Sequence, residues 1–96
     1  MIERFEREMG ISNKEFYRLL PQALKNMDYE IINDNLINAN YAGGKIEIEH
    51  GVEQKRKIAS LELPVLHVTF TFADISPDNI ELFNTKFSQV YQRGGG

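Results

Sequence analysis

The sequence predicts a two-layer α+β domain in which two helices cover one face of an antiparallel sheet of four to five strands. The run from Val65 to Phe72 alternates apolar and mixed side chains, as a strand with one buried face does. Two segments, opened by Ser12 and Ser76, pair a helix cap with an apolar stripe at spacings of three and four residues. A chain of 96 residues, 42% of them hydrophobic, can form one core and not two.

The composition argues against several classes of protein. No cysteine is present, which excludes disulfides, thiol catalysis and thiolate metal sites. A formal charge of −3 does not draw nucleic acid or an acidic membrane to the molecule as a whole. No apolar run approaches the roughly 18 residues that span a bilayer, and residues 1–8 are too charged for a signal peptide. We therefore expect a cytoplasmic protein.

The amino-terminal third contains the first helix. Residues 2–8 fit either a helical start or a short edge strand whose charges discourage aggregation, and the strand is favoured. Ser12 and Glu15 have the spacing of a capping box, so the helix is predicted to begin there. Pro21 is expected to kink or break this helix near residues 17–20, because it lacks an N–H and its ring clashes with the preceding turn.

Between the helices, turn residues separate short β-forming runs. The pair Gly43-Gly44 predicts a hairpin turn, and residues 50–54 predict a polar loop. Pro64 cannot donate to a ladder and therefore predicts a bulge or a break between two strands. The predicted strands are Tyr29–Ile32, Leu36–Tyr41, Lys45–Glu49, Lys57–Leu61 and Val65–Phe72.

The last element repeats the pattern of the first helix. Ser76 is its predicted N-cap and Pro77 its first residue, where a missing N–H costs nothing. Residues 1–93 are thus predicted to form a single α+β domain in the order (β)-α-β-β-β-β-α, followed by a flexible glycine tail, 94–96. This order resembles the TATA-binding-protein-like and helix-grip architectures, an analogy that carries no function with it. The predicted buried stripe is Ile80, Phe83, Phe87 and Val90 or Tyr91.

One candidate binding surface is the face of the last strand that points away from the core. His67, Thr69 and Thr71 lie on this face, which is uncharged and more hydrophobic than water contact requires. It fits a second copy of the chain or a protein partner. An ordinary exposed face is equally consistent, because threonine is simply a good strand former.

A second candidate is the basic cluster Lys55, Arg56 and Lys57. It suggests a grip on phosphate or on a nucleic-acid backbone. Nearby carboxylates within residues 47–53 would neutralise it, so a solvated loop is the favoured interpretation. No carboxylate stands at metal-ligand spacing from either histidine. We therefore predict no metal, no cofactor and no catalytic residue, and the chain is not expected to be an enzyme.

The tail is the third candidate, and its residues of interest are Tyr91, Arg93, Gly94, Gly95 and Gly96. A free Gly-Gly end resembles that of ubiquitin-like sulfur carriers and modifiers, whose terminal glycine carboxylate is adenylated. Those proteins lead from a last strand into the tail, whereas a helix precedes it in this sequence. The favoured interpretation is that the glycines end the helix, with Gly94 in the left-handed position.

One pattern runs through the second half of the chain and its end. It is Arg56-x-Ile58-Ala59-x-Leu61-x-Leu63-Pro64-x-Leu66-x-Val68, then Phe83-x-x-x-Phe87 and residues 91–96. With this pattern the chain resembles a group of short bacterial proteins that end in (F/Y)QRGGG and have no assigned function. The resemblance extends over roughly residues 16–96, is strongest over the last forty, and implies a small cytoplasmic bacterial protein. It transfers no catalytic residue.

Three functions are consistent with these features. The leading hypothesis is a non-enzymatic binding or protein-interaction domain, with homodimerisation through the sheet as one form of it. The second is a small molecule bound in a cleft between the first helix and the sheet, with polar contacts from Tyr17, Arg18, Tyr29 or Tyr41. The third is nucleic-acid binding through Lys55–Lys57, which the net charge disfavours.

Overall fold

A computed structural model describes residues 2–93, with the backbone alone at Arg93. It confirms the α+β class, and it contains six strands where four to five are predicted. A hairpin that the sequence pattern does not reveal replaces the predicted strand Lys57–Leu61. The elements are β1 Ile2–Met9, α1 Asn13–Ala23, β2 Asp28–Asn33, β3 Leu36–Tyr41, β4 Gly44–His50, β5 Gln54–Ile58, β6 Leu61–Ala73 and α2 Pro77–Arg93.

The sheet is antiparallel throughout, in the order β1-β6-β4-β3-β2, with β5 paired to the first part of β6. The predicted local hairpins join β2 to β3 and β3 to β4. The ambiguous residues 2–8 belong to an edge strand, as favoured, and pair with β6. The 13-residue β6 is therefore an interior strand, with β1 and β4 on its two sides.

The turn between β3 and β4 lies one residue earlier than predicted. Ala42 and Gly43 form it with φ values of 50° and 82°, and Tyr41 pairs with Gly44. Two positive φ values suit the right-handed twist of the flanking strands. Gly44 instead begins β4, where an added Cβ would lie 2.2 Å from the carbonyl oxygen of Ala73. Close backbone approach therefore requires glycine at this position.

The predicted strand Lys57–Leu61 is wrong, because a two-residue turn at 59–60 divides it. Ala59 has a φ of 55° at the first turn position, and Ile58 pairs with Leu61 on the other side of the turn. Pro64 does not separate two strands. It lies within β6, in a stretch that pairs with β5 alone among the described strands, and one free side can accommodate the missing N–H.

Both helices begin as the sequence predicts. The Ser12 hydroxyl accepts a hydrogen bond from the Glu15 N–H at 3.1 Å, and the Ser76 hydroxyl caps α2 in the same way. The predicted break near residues 17–20 is not observed. Pro21 lies in the last turn of α1, which ends two residues later at Ala23.

The core lies between one face of the sheet and the two helices. Along β4, Ile46 and Ile48 are buried while Lys45, Glu47 and Glu49 are exposed, as the alternation predicts. Hydrophobic burial of this layer is the main source of stability for a domain of this size. The largest fully buried side chains are Phe16, Phe70, Phe72, Phe83, Phe87, Leu20, Leu24, Ile37, Ile46, Ile48, Leu66 and Val68.

Candidate functional site

The sheet face turned away from the helices carries charged side chains on both sides of a threonine stripe. In the pairing register, Thr69 lies between Glu6 of β1 and Glu49 of β4, and Thr71 lies between Arg4 of β1 and Glu47 of β4. Both threonines are half-buried, and the charged side chains beside them are exposed. This surface is named the outer face. Its residues are Arg4, Glu6, Glu8, Lys45, Glu47, Glu49, His67, Thr69 and Thr71.

A bulge connects β4 to β5 on the same side of β6. His50 pairs with Val68 and Gln54 pairs with Val65, so four steps along one strand face three along the other. The extra residue lies in 51–53, which disrupts the ladder and bends the strand at this point. β4, β5 and β6 therefore form one long hairpin with an irregularity in the middle.

Beyond the bulge, this hairpin projects from the sheet as a two-stranded arm, residues 54–65. β1 ends opposite Leu66 and β3 begins opposite Glu49, so no other described strand lies beside the arm. Every residue of β5 is exposed. Since a strand rises about 3.3 Å per residue, 13-residue β6 spans about 43 Å of a molecule whose longest dimension is 46 Å.

The arm exposes three large apolar side chains on one of its faces. Ile58 is 51% exposed, Leu61 is 62% exposed and Leu63 is 43% exposed. Ile58 pairs with Leu61, and Leu63 pairs with Arg56, so the alternation of the strands places all four on the same side. The Arg56 guanidinium forms an ion pair with Glu8 of the outer face. The apolar surface of the arm therefore continues the outer face.

The contact between Arg56 and Glu8 also includes His67. The second carboxylate oxygen of Glu8 lies 3.7 Å from His67 Nε2. All three side chains are well exposed, so each ion pair contributes little to stability in water. Arg56 and His67 are thereby held at the junction between the arm and the body of the sheet.

The basic cluster predicted to grip phosphate does not form one patch. Alternation along β5 turns Lys55 and Lys57 to the face opposite Arg56. The ammonium of Lys55 lies 3.0 Å from a carboxylate oxygen of Glu53, and Lys57 forms no ion pair with any of residues 2–93. Two of the three cations are thus already paired within the chain.

Glu53 fastens the base of the arm to the first helix. Its carboxylate accepts a hydrogen bond from the backbone N–H of Asn13, the first residue of α1, at 2.6 Å. That N–H, and then Lys55, hold the pKa of Glu53 below its ordinary value. A negative charge at a helix amino terminus also interacts favourably with the helix dipole.

His50 is the one buried polar side chain of the described core. Its Nδ1 lies 2.8 Å from the carbonyl oxygen of Gly51, and its Nε2 lies 2.7 Å from the hydroxyl of Tyr17. The rings of Phe16 and Tyr17 both pack against the imidazole, each with centroids 5.4 Å away. Sequence reasoning missed this contact, because nothing local links positions 17 and 50.

The partners of the His50 ring nitrogens determine which nitrogen donates and which accepts. A carbonyl only accepts, so Nδ1 donates to Gly51, and in a neutral imidazole Nε2 must accept from Tyr17. The same hydroxyl lies 3.1 Å from the carbonyl oxygen of Asp34, and one phenolic proton cannot serve both acceptors. Burial, and then the charge of Asp34, raise the pKa of Tyr17. The group pins α1 to the loops beside it, and the partners of the imidazole among residues 2–93 are a phenol and a backbone carbonyl.

The structure places Tyr91 in the core and not on a partner surface. It is 3% exposed, and its hydroxyl donates to the carbonyl oxygen of Phe16 at 2.8 Å, joining α2 to α1. The prediction that Tyr91 is a binding residue is therefore corrected, since a buried ring cannot contact a partner. Arg93 is the last residue of α2. Gly94, Gly95 and Gly96 lie outside the described residues.

The polar groups expected around a cleft under the first helix point to separate places. The hydroxyl of Tyr17 contacts His50, and that of Tyr41 donates to the carbonyl oxygen of Asn79 at 3.1 Å. Arg18 pairs with Glu15 on its own helix. Tyr29 lies on the exposed edge strand β2. Packed side chains, chiefly Phe16, Leu20 and Leu24, fill the space between α1 and the sheet.

An open groove lies instead between α2 and the edge strand β1. It has a volume of about 680 Å³ and is lined in part by Phe5, Ile80 and Ser88. At one end, the guanidinium of Arg7 donates to the Ser88 hydroxyl at 2.8 Å. The same group lies 5.6 Å from the ring centroid of Phe87. The lining of the groove thus combines apolar side chains with two carboxylates, and Arg7 lies next to it through its contact with Ser88.

The described residues contain neither a cluster of metal ligands nor a membrane-crossing helix. Within residues 2–93, no three histidine, aspartate or glutamate side chains converge as metal ligands would. Neither α1 nor α2 has both the length and the apolar character of a membrane-crossing helix.

Sequence reasoning also missed the apolar residues of the arm. Leu61 and Leu63 do alternate with polar neighbours, so the period-two signal was present in the sequence. The interpretation of residues 57–61 as one continuous strand conceals the turn at 59–60. It therefore also conceals that Leu61 and Leu63 pair with the exposed strand β5.

Comparison with known proteins identifies no family for this chain. No protein-family model matches the chain, and no curated protein matches it. The crystal structure of Ara h 8.0201 aligns with a TM-score of 0.42 and 10% identity, covering 98% of this chain and 95% of that one. The crystal structure of TTHA0849 from Thermus thermophilus aligns with a TM-score of 0.36 and 14% identity, covering 98% and 93%. Neither likeness bears on function.

Proposed function

We propose that this chain is a non-enzymatic protein-interaction domain that binds its partner through the arm and the adjoining outer face. The observation that carries the proposal is the exposure of Ile58, Leu61 and Leu63 on one face of a projecting ribbon. We also propose the cytoplasmic location that the sequence suggests.

Physical chemistry supports a partner at this surface. A two-stranded hairpin alone in water is marginally stable at best, because little apolar area is buried between its strands. The arm also has free backbone groups along both edges, which invite association. A protein that covers the exposed leucines gains roughly 25 cal/mol for each Å² of apolar surface removed from water.

Site-specific photo-crosslinking in the cells that make this protein tests the proposal. The photoreactive residue p-benzoylphenylalanine replaces Leu61, and in a matched control it replaces Leu82. Leu61 and Leu82 are 62% and 63% exposed, but Leu82 lies on α2, far from the arm. Adducts are identified by peptide sequencing in a mass spectrometer.

We expect a defined protein adduct at position 61 and none of the same identity at position 82. Equal labelling at both positions, or no protein adduct at position 61, would show that the arm is not a binding surface. The Leu61 probe replaces one exposed apolar side chain with another, so the fold is retained in both proteins.

The groove between α2 and β1 favours small-molecule binding as a second candidate. Its volume of about 680 Å³ lies in the range of ordinary ligand sites. Native mass spectrometry of the chain purified from its own cells would show a bound mass that Phe5→Ser abolishes. An unmodified mass in native material contradicts this candidate.

Nucleic-acid binding through Lys55–Lys57 is less favoured than the sequence suggested. Glu53 and Glu8 already neutralise two of these cations, and the third faces the opposite side from Arg56. A titration with single-stranded and duplex oligonucleotides at low salt tests it. We expect no saturable binding, since affinity of this kind depends on several free cations on one surface.

A further inference from the structure

We infer that the partner is a second copy of this chain, and that the arm of each copy lies across the outer face of the other. This inference rests on the proposed function and specifies the occupant of its surface. It follows from the distribution of charge and from the pairing register along β6.

The arm and the body of the domain carry opposite charge. Residues 54–65 contain three basic side chains and one acidic side chain, a formal charge of +2. The whole chain carries −3, which leaves −5 on the remainder. Among residues 2–93, the outer-face carboxylates of Glu6, Glu47 and Glu49 form no ion pair. On the apolar side of the arm the cation is Arg56, whereas the outer face is net acidic because its four carboxylates outnumber its two cations. The two surfaces are thus opposite in sign.

The register of β6 makes the surface self-complementary. The arm and the outer face occupy the same side of this one strand, on either side of His67. A two-fold axis in the contact plane, perpendicular to β6 at His67, would stack one copy of the strand antiparallel on the other. Six residues before His67 is Leu61 and six after is Ala73, so Leu61 would face Ala73 of the second copy.

The same operation brings charges together in pairs. Leu63 would face Thr71 of the second copy, because each lies four residues from His67. Arg56 pairs with Leu63, and Glu47 pairs with Thr71, both on the same side of β6. Arg56 of each copy, which pairs with Glu8 of its own chain, would therefore also face Glu47 of the other. A two-fold arrangement repeats every contact and closes as a dimer without growing further.

The dimensions suit this arrangement. Leu61 to Val65 is five residues, about 16 Å, and the outer-face portion from Thr69 to Ala73 is the same length. Packed sheets lie about 10 Å apart, a space that leucine, threonine and arginine side chains from the two faces can fill. The half-buried threonine stripe offers a shallow floor between rows of longer, mostly acidic side chains.

A charge-reversal cycle measured by sedimentation equilibrium at low ionic strength tests the inference. The four proteins are the natural chain, Arg56→Glu, Glu47→Arg and the double variant. We expect a dimer for the natural chain and dissociation constants raised at least about tenfold in each single variant. The double variant restores the attraction with its sign reversed, so its dissociation constant returns most of the way. The control Glu81→Arg changes an exposed carboxylate on α2 and leaves dimerisation unchanged.

The outcomes separate this inference from the proposed function. A monomeric natural chain, or a dimer indifferent to the single reversals, overturns the second-copy arrangement. If position 61 then still cross-links to a different protein, the proposed interaction function holds with another partner. If neither a dimer nor an adduct is found, both proposals are wrong. Circular dichroism and urea unfolding of every variant confirm that each protein is folded.

Discussion

In the body of the sheet, Phe70 is 2% exposed, and its ring centroid lies 5.0 Å from that of Phe87 and 6.2 Å from that of Phe83. Nine residues earlier on the same strand, Leu61 is 62% exposed and faces only Ile58 across a hairpin turn. Both positions carry large apolar side chains in a period-two pattern. The difference lies in what covers them, because Phe70 lies on the face that the helices cover, whereas Leu61 lies on the opposite face, in a part of β6 that β1 and β4 do not reach.

This contrast separates the sources of stability and of binding in one strand. Burial of a large apolar side chain contributes about 1.5–3 kcal/mol, and the body obtains this from each of its core residues. The arm leaves much of that free energy unused in the isolated chain. Substitutions in the body should therefore lower the free energy of unfolding, whereas substitutions on the arm should act on association.

The largest expected effect is that of Phe87→Ala. The ring of Phe87 contacts Phe70, Phe83 and Tyr91, so its removal leaves a cavity that packed neighbours cannot fill. We expect the free energy of unfolding, measured in urea, to fall by about 3–5 kcal/mol. Phe5→Ala is the matched control.

Phe5 is 42% exposed on the edge strand β1 and has one aromatic contact, with Phe72. Its loss should cost clearly less than the loss of Phe87. Equal losses at the two positions would mean that exposure does not distinguish the body from its edge, and the comparison would fail at its strongest point.

Gly44→Ala should have the second-largest effect. An added Cβ would lie 2.2 Å from the carbonyl oxygen of Ala73 and 2.5 Å from that of Asp74, so backbone must move. We expect a loss of about 1–3 kcal/mol in the free energy of unfolding. Gly10→Ala is the control, because nothing lies within 4 Å of its added Cβ, and it should leave stability nearly unchanged.

Local chemistry is what made most of this fold predictable. Ser12 and Ser76 define helix starts through hydrogen bonds within four residues, and alternation along β4 and β6 defines a buried face. The arm escaped prediction because its turn has Ala59, and not glycine, at a positive φ. Which side chains become covered also depends on distant residues. The sequence near Leu61 does not indicate that β1 will end opposite Leu66.

The same reasoning explains how far the candidate site could be predicted. Period two placed His67, Thr69 and Thr71 opposite the core correctly, because alternation is a property of one strand. The sequence predicts Tyr91 both for the buried stripe of α2 and for the surface tail, and its burial agrees with the stripe, as its helical spacing from Phe87 indicates. The Tyr17–His50 contact depends on packing between distant elements, and single-sequence patterns do not contain that information.

Tyr91→Phe should have the third effect, through its buried hydroxyl. The hydroxyl donates to the carbonyl oxygen of Phe16, so its loss should lower the free energy of unfolding by about 1–1.5 kcal/mol at neutral pH. Burial, and then Tyr17, raise the pKa of Tyr91 far above its ordinary value. The folded state thus resists ionisation that the unfolded chain undergoes near pH 10. The stabilising contribution of the neutral Tyr91 hydroxyl is complete below that pH and is lost as the pH rises above it.

The variant should therefore lose less stability than the natural chain between pH 9 and 11, measured by urea unfolding across that range. Tyr29→Phe, on the exposed strand β2, is the control and should retain the natural alkaline slope. An unchanged slope in Tyr91→Phe would show that the buried hydroxyl does not ionise on unfolding in this range.

The smallest effect on the folded monomer is expected from Leu61→Ser, and this prediction sharpens the comparison most. Because Leu61 is already 62% exposed, its replacement should change the free energy of unfolding by less than about 0.5 kcal/mol in dilute solution. Leu82→Ser, at 63% exposure, should do the same. At high protein concentration, sedimentation should separate the two, with association weakened by Leu61→Ser alone. If both serines weaken association equally, general surface hydrophobicity explains it. If Leu61→Ser unfolds the monomer, the arm belongs to the core after all.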